Sequence, residues 1–145
     1  MRTSALAELE RAIAINPRLT NAHLSVGDIH RASGDYESAH TAYHKAAELE
    51  PRNFDAQYFD GLMLHLLDRV TEAISAYLRA LAVRPNDFNA NLQIATAYYQ
   101  LDETKLALEY AKRAVNLNPQ DGRARFQLGA TYAAMNNHHA AVKEY

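Results

Sequence analysis

The sequence of 145 residues has no cysteine, only four prolines and five glycines, and no long apolar run. Without cysteine, disulfides and thiolate metal sites are both excluded. The apolar runs are a few residues long, far below the about 20 residues that a membrane-spanning helix needs. An excess of charge of one sign is also missing, because the formal net charge is −2. This balance argues against the basic surface of a nucleic-acid-binding protein.

The remaining composition is that of a folded chain, with 48% apolar and 22% charged residues. Its length allows one domain with a hydrophobic core. Glu8 and Glu10 stand where a signal peptide would need an apolar segment, so we expect a cytoplasmic protein.

The prolines reveal an internal repeat with a 34-residue period, because they stand at equal intervals as Pro17, Pro51, Pro85 and Pro119. Alanine fills every available place in three further classes with the same period: Ala5, Ala39, Ala73, Ala107 and Ala141; Ala12, Ala46, Ala80 and Ala114; Ala22, Ala56, Ala90 and Ala124. The chain is therefore built from repeated units of one length. We expect the alanines at the places where two helices approach closely, since larger side chains would overpack such contacts.

Two helix breaks recur in each unit. Proline ends a helix at one phase, and Asn53, Asp87 and Asp121 follow as expected N-caps, with Thr20 in this role for the first unit. The second break has turn-forming pairs: Gly34-Asp35, Asp68-Arg69, Asp102-Glu103 and Asn136-Asn137. Each unit is therefore a pair of antiparallel helices. We predict helices over 3–15, 20–33, 36–49, 54–67, 71–83, 88–101, 104–117, 122–135 and 138–145.

The first helices of the units carry a shared pattern: AHLSVGDIH at 22–30, AQYFDGLML at 56–64, ANLQIATAY at 90–98 and ARFQLGATY at 124–132. A small residue recurs within it as Gly27, Gly61, Ala95 and Gly129, and a tyrosine closes it at Tyr98 and Tyr132. A later aromatic position holds Tyr43, Tyr77 and Tyr145. Over essentially its whole length the chain resembles the tetratricopeptide repeat family.

That resemblance implies an all-α fold, a right-handed superhelical solenoid of antiparallel helix pairs. It divides a single domain over 1–145 into a half repeat at 1–19, repeats at 20–53, 54–87 and 88–121, and an incomplete repeat at 122–145. The array starts and stops within a repeat and has no recognisable capping helix. We therefore expect a fragment of a longer protein, or open ends that pair with a neighbouring copy.

Two positions depart from the family pattern. The place of its tryptophan holds His23, Gln57, Asn91 and Arg125. Asp60 replaces a leucine that is usually buried. An unpaired buried carboxylate is costly, so Asp60 is expected to be paired, protonated or at the rim of the core, and not a functional acid.

Residues with catalytic potential are scarce. The sequence has no phosphate-binding loop, Walker motif or Gly-x-Ser-x-Gly elbow. His40 and His44 could share a metal ion, but no third ligand stands at a motif spacing, and we expect both to be solvated surface residues. We predict no enzyme activity, no metal and no cofactor.

The resemblance instead places function in the concave groove lined by the first helices. The groove positions of the family fall on these residues: Asn21, Leu24, Asp28, Arg31, Asp55, Tyr58, Leu62, His65, Asn89, Leu92, Thr96, Tyr99, Arg123 and Phe126. The apolar and aromatic members would form an exposed stripe, the usual mark of an interaction surface. For Leu24 and Leu92, packing between stacked helices is the competing interpretation.

These features predict a scaffold that binds a peptide or helix of a partner protein, without nucleic acid or membrane insertion. One subgroup of the family grips chaperone tails with a Lys/Asn/Lys/Arg clamp, which is absent here, where Leu24 and Asp28 or Tyr58 and Leu62 stand instead. Two alternatives stay open: a docking module of a larger enzyme such as a glycosyltransferase, and a self-assembling structural element. RNA binding by a related 35-residue repeat does not fit the period or the charge.

Overall fold

A computed structural model describes residues 2–135, with side chains from Ser4 onward. This range contains eight α-helices and no strand, in two compact units with the boundary between Val83 and Arg84. The first unit contains α1 (Arg2–Ile15), α2 (Thr20–Ala32), α3 (Tyr36–Leu49), α4 (Phe54–Leu66) and α5 (Val70–Val83). The second contains α6 (Phe88–Gln100), α7 (Thr104–Leu117) and α8 (Gly122–Ala134).

The eight predicted helices in this range are confirmed to within one residue at each end. The ninth, predicted over 138–145, lies outside the described residues, and the single domain over 1–145 stays a prediction. None of the helices between residues 2 and 135 is long and apolar enough to cross a membrane.

Three of the four predicted N-caps are confirmed. The side chain of Asn53 accepts a hydrogen bond from the Ala56 N–H at 3.0 Å, and Asp87 accepts the equivalent bond at 2.9 Å. Asp121 accepts one at 2.9 Å from the N–H two residues further on. The prediction for Thr20 is wrong, because Thr20 is the first residue of α2 and is buried. Leu19 stands at the N-cap of α2 and has no side-chain acceptor to offer.

The turns inside the repeats share one backbone conformation. Gly34, Asp68 and Asp102, which occupy the same phase of successive repeats, have φ angles of 81°, 61° and 59°. This left-handed conformation lets the next backbone N–H reach back and close the helix end, as in the 2.8 Å bond from Arg69 N to Leu64 O. The predicted mid-unit breaks are therefore confirmed at these three places.

The position that replaces the tryptophan also has a repeated role. In each repeat the side chain at this position donates a hydrogen bond to the carbonyl of the preceding proline. The distances are 2.9, 3.1, 3.1 and 3.4 Å for His23, Gln57, Asn91 and Arg125. These bonds join the start of each first helix to the turn before it.

The two helices of a pair approach closely at small residues, as predicted. A Cβ atom on Gly27 would lie 2.6 Å from the Tyr43 ring, and one on Gly61 would lie 2.7 Å from the Tyr77 ring. The repeated alanines are fully buried in α3, α5 and α7, whereas Ala5 in α1 is exposed. The difference arises because no described helix precedes α1 to cover it.

Candidate functional site

The predicted groove positions of the first unit lie on α2 and α4. Their exposed members are Asn21, Asp28 and Asp55. The half-buried members are Leu24, Arg31, Tyr58, Leu62 and His65. Leu24 also packs against two buried clusters of α3 and α4, so it is partly core, as the competing interpretation held.

Aromatic rings connect this face of α4 to its neighbours. Tyr58 stacks on Phe54 with ring centroids 5.6 Å apart and meets the edge of Phe59 at 5.3 Å. Phe59 in turn stacks on Tyr43 at 5.6 Å, and Tyr58 lies 5.9 Å from Tyr77. Such a connected set of rings holds the Tyr58 side chain in place and leaves it half-buried at the surface.

Arg31 and Asp28 supply charge beside these rings. The Arg31 guanidinium lies 4.3 Å from the centroid of Phe59, and its Nη2 is 3.4 Å from a carboxylate oxygen of Asp28. The same oxygen accepts a hydrogen bond from the Tyr43 hydroxyl at 2.5 Å. Burial of Tyr43, together with this carboxylate, raises the pKa of the phenol above its usual range, so the hydroxyl stays a donor. The arrangement fixes Asp28 and Arg31 in one orientation on the surface of α2.

The second unit forms an open cavity between α6 and α8. Its volume is about 550 Å³, and these residues line it: Leu92, Gln93, Thr96, Gly122, Arg123, Phe126 and Gln127. The Phe126 side chain is 66% exposed. Leu92 is only 4% exposed and packs against Ala114 and Ala124, so it forms the floor of the cavity rather than an exposed stripe.

Polar side chains are ordered around this cavity. The Thr96 hydroxyl lies 3.3 Å from Gln127 Oε1 and donates to the Leu92 carbonyl at 3.0 Å. Arg123 contacts Asp121 at 2.8 Å, and the hydrogen bond from this guanidinium lowers the pKa of the Asp121 carboxyl below its usual value. The cavity therefore combines an apolar floor and an exposed ring with amide, hydroxyl and guanidinium groups.

Of the predicted groove positions in the second unit, four line this cavity: Leu92, Thr96, Arg123 and Phe126. Asn89 is exposed and Tyr99 half-buried, and neither contributes to the cavity wall. Gln93 and Gln127 also line the cavity but were not among the predicted groove positions, although both occupy the same phase of the repeat. That shared phase was the signal available in the sequence.

A buried cluster on the other side of α4 corrects the prediction for the two histidines. Asp60 is 0% exposed, and its two carboxylate oxygens accept hydrogen bonds from Nδ1 of His40 at 2.5 Å and Nδ1 of His44 at 3.1 Å. The His40 side chain is only 14% exposed, so it is not a solvated surface residue, and His44 is half-exposed but bonded. They lie here because their spacing of one helical turn puts both imidazoles on the face of α3 that packs on α4. Asp60 is therefore buried and paired.

This cluster opens into a smaller cavity of about 310 Å³ that is also lined by Leu64, Arg69, Glu72, Ser75 and Arg79. Glu72 binds Arg69 with two hydrogen bonds at 2.8 and 3.0 Å. Between residues 2 and 135, no group of three or more histidine or carboxylate side chains is placed to hold a metal ion. Both Nδ1 atoms converge on Asp60, so each oxygen of the buried carboxylate has a donor within the protein.

Comparison with known proteins bears on the fold. Two family models, each described as tetratricopeptide repeat, match residues 24–90 and 88–121. A search of curated proteins found no match.

Solved structures match closely in shape. YrrB, described as a TPR protein with an unusual peptide-binding site, has a TM-score of 0.92 at 23% identity, over 99% of this chain and 74% of its own. MamA from Desulfovibrio magneticus has a TM-score of 0.90 at 23% identity, over 99% and 81%. A repeat protein from Parabacteroides merdae has a TM-score of 0.87 at 19% identity, over 99% and 57%. The fold is therefore an all-α helical repeat of the solenoid class, and its right-handed sense stays a prediction.

Proposed function

Because this chain belongs to the tetratricopeptide repeat family, we propose that it is a protein-interaction scaffold whose cavity between α6 and α8 receives a peptide of a partner protein. The observation that carries this proposal is Phe126, which lines a cavity of about 550 Å³ with 66% of its surface exposed. Exposed aromatic side chains beside a concave surface are common centres of binding energy.

The chemistry of the cavity favours a peptide with one apolar anchor. Leu92 and Phe126 would contact an apolar side chain, since both line the same concave surface. Gln93, Thr96 and Gln127 offer amide and hydroxyl groups, which can pair with the N–H and C=O groups of a peptide backbone. The peptide-binding site described for YrrB supports the same class of ligand.

The first unit offers a second contact surface in this proposal. Tyr58 and Leu62 would pack against apolar groups of a partner, beside the fixed charges of Asp28 and Arg31. Proteins of the family are generally non-enzymatic scaffolds, and we assign binding rather than catalysis to this chain. A cytoplasmic location is part of the proposal.

Peptides selected from a random phage-displayed library on the wild-type protein provide the test. Their dissociation constants would be measured by calorimetry for the wild type, Phe126→Ala and Leu106→Ala, the last being an exposed apolar residue of α7 outside the cavity. We expect about tenfold weaker binding for Phe126→Ala, the loss of about 1.4 kcal/mol. Leu106→Ala should bind within about twofold of wild type. Equal affinity of all three proteins, with unchanged melting temperatures, would reject the cavity as the binding site.

The self-assembly alternative has a separate readout. Multi-angle light scattering at rising protein concentration gives the mass of the particle. A constant mass, together with peptide binding, supports a foreign partner. A mass that rises in the wild type and not in Phe126→Ala would assign the cavity to a second copy of the chain.

A further inference from the structure

A basic residue recurs at one phase of the second helices of the repeats, α1, α3, α5 and α7. It stands at Arg11, Lys45, Arg79 and Arg113, and all four side chains are exposed. Packing does not require a charge at an exposed position, so the fold alone does not explain the recurrence.

The helix α7 shows which group such a cation takes as its partner. The Arg113 guanidinium binds the carboxylate of Glu109, which lies one helical turn earlier, at 2.8 Å. A carboxylate placed before the base at this spacing is the favourable order on a helix. The cation of α7 therefore has its anion on the same helix.

The helices α3 and α5 carry the cation without this carboxylate. The place of Glu109 holds Thr41 in α3 and Ser75 in α5, so a short hydroxyl side chain stands where α7 has an anion. In the part of the chain that the structure describes, neither Lys45 nor Arg79 forms an ion pair with a carboxylate. The two cations are therefore open to an anion from outside the chain.

Gln57 holds the Arg79 guanidinium in place. The Gln57 side chain is buried, and its amide nitrogen donates to the Pro51 carbonyl at 3.1 Å while its oxygen accepts from Nε of Arg79 at 2.9 Å. A guanidinium bonded through Nε keeps its two terminal nitrogens for a carboxylate. Because this arginine is already oriented, less conformational entropy is lost when it binds.

Each hydroxyl and cation pair lines an open cavity. Ser75 and Arg79 line the cavity of about 310 Å³ beside the Asp60 cluster. Thr41 and Lys45 line another of about 410 Å³ between α2 and α3. Each cation therefore lies at a concave place that a side chain of a partner can enter.

The carboxylates of this chain near Arg79 do not neutralise it. Glu72 is bound by Arg69 with two hydrogen bonds, and both oxygens of Asp60 have histidine donors. Glu48 lines a neighbouring cavity of about 270 Å³ together with Arg79, but the two side chains form no ion pair.

We propose that α3 and α5 bind an acidic segment of a partner protein, with one carboxylate at Lys45 and another at Arg79. Each carboxylate takes the place beside its cation that Glu109 has beside Arg113 in α7. A carboxylate suits the site better than a phosphate group, because the neighbouring Glu72 repels a second negative charge. The site lies in the first unit, so it does not depend on the peptide cavity between α6 and α8.

The probes are hexaglutamate and hexaglutamine peptides with blocked ends. Nuclear magnetic resonance of the labelled full-length chain would record their binding. We expect hexaglutamate to shift the resonances of Lys45, Ser75 and Arg79, and the shifts to disappear in about 1 M salt, where exposed charges are screened. An equal response to hexaglutamine, or no shift at these residues, would overturn the proposal. Tighter binding of a uridine hexanucleotide would replace the acidic protein segment by a nucleic acid.

Three charge-removing variants test the location. Arg79→Gln and Lys45→Gln should each weaken hexaglutamate binding by about fivefold, the upper end for an exposed ion pair. Arg113→Gln removes the same charge from a cation that already has its carboxylate, and it should change binding by less than about twofold. Equal weakening by all three variants would assign the effect to net charge and reject the site.

Ser75→Glu tests the same site without touching Arg79 or its bond to Gln57. The new carboxylate would stand before Arg79 as Glu109 stands before Arg113, so we expect hexaglutamate to bind about fivefold more weakly. Thr71→Glu adds the same charge to α5 at an exposed position outside the cavity lining, and should change binding by less than about twofold. Unchanged binding by Ser75→Glu, or an equal loss in Thr71→Glu, would contradict the proposal.

Discussion

Gly61→Ala tests how closely the two helices of a repeat must approach. The added Cβ would lie 2.7 Å from Cδ1 and 2.8 Å from Cε1 of Tyr77, and 3.2 Å from the Ala73 carbonyl oxygen. Tyr77 is 0% exposed, and its hydroxyl lies 3.2 Å from Nδ1 of His65. The ring is fully enclosed, and the Ala73 carbonyl, a part of the α5 backbone, faces the same added Cβ atom. The substitution therefore forces the two helices apart.

Two effects of opposite sign set the magnitude. Overpacking in a core costs about 1–3 kcal/mol, and contacts this short belong at the upper end of that range. Alanine in place of glycine in a helix stabilises by about 1 kcal/mol. We therefore expect Gly61→Ala to lower the free energy of unfolding by about 2 kcal/mol. For a chain of this size that corresponds to a melting temperature lower by roughly 4–8 °C.

The third repeat provides the matched control, because Ala95 stands in the place of Gly61 and Ala111 in the place of Tyr77. Both alanines are 0% exposed, so a small residue opposite the first helix removes the need for glycine. Ala95→Gly should cost the helix preference of about 1 kcal/mol and roughly another 1 kcal/mol for the lost burial of the methyl group.

Urea denaturation followed by circular dichroism, with resonances of the first unit as local probes, would give the free energies of unfolding. In a double-mutant cycle with Tyr77→Ala, the pair should be less destabilised than the sum of its single changes by about 3 kcal/mol, the overpacking cost that disappears with the ring. A neutral or stabilising Gly61→Ala, or additive effects in the cycle, would refute the close-approach argument.

Two further substitutions test the turns and the buried polar cluster by the same denaturation experiment. Asp68→Gly should raise the free energy of unfolding by about 0.5–1 kcal/mol, because glycine adopts the φ of 61° without strain. A lower free energy of unfolding for both Asp68→Gly and Asp102→Gly would contradict this. Asp60→Leu should destabilise by about 1–3 kcal/mol, because His40 is left buried without its acceptor. Adding His40→Leu should recover part of that loss, and no recovery would show that the cost comes from packing.

The helices were predictable because their ends carry local chemistry. Proline, a capping Asn or Asp, and a turn pair recur at fixed phases, and each acts on backbone groups within a few residues of itself. Thr20 failed as a cap because the repeat phase of Asn53 and the other caps falls on Leu19 in the first repeat, and Thr20, one residue later, is already inside α2.

The Asp60 cluster could not be predicted in the same way. His40 and His44 lie on a different helix from Asp60, so no local spacing connects them. Their pairing depends on how α3 packs on α4, which sets which face of each helix is buried. For a similar reason, the sequence could not decide whether Leu92 is exposed or buried. The first helix of a repeat has more than one buried face, and the 34-residue period does not distinguish a buried position from an exposed one.

The four residues at the tryptophan position show what the repeat conserves internally. Histidine, glutamine, asparagine and arginine differ in size and charge, but each has an N–H group, as tryptophan does. In all four repeats that group donates a hydrogen bond to the carbonyl of the preceding proline, at distances from 2.9 to 3.4 Å. The turn before each first helix would otherwise leave this carbonyl without a protein partner at the start of a helix. The repeated feature is therefore the hydrogen bond rather than the residue, which explains how the chain can lack the tryptophan and keep the fold.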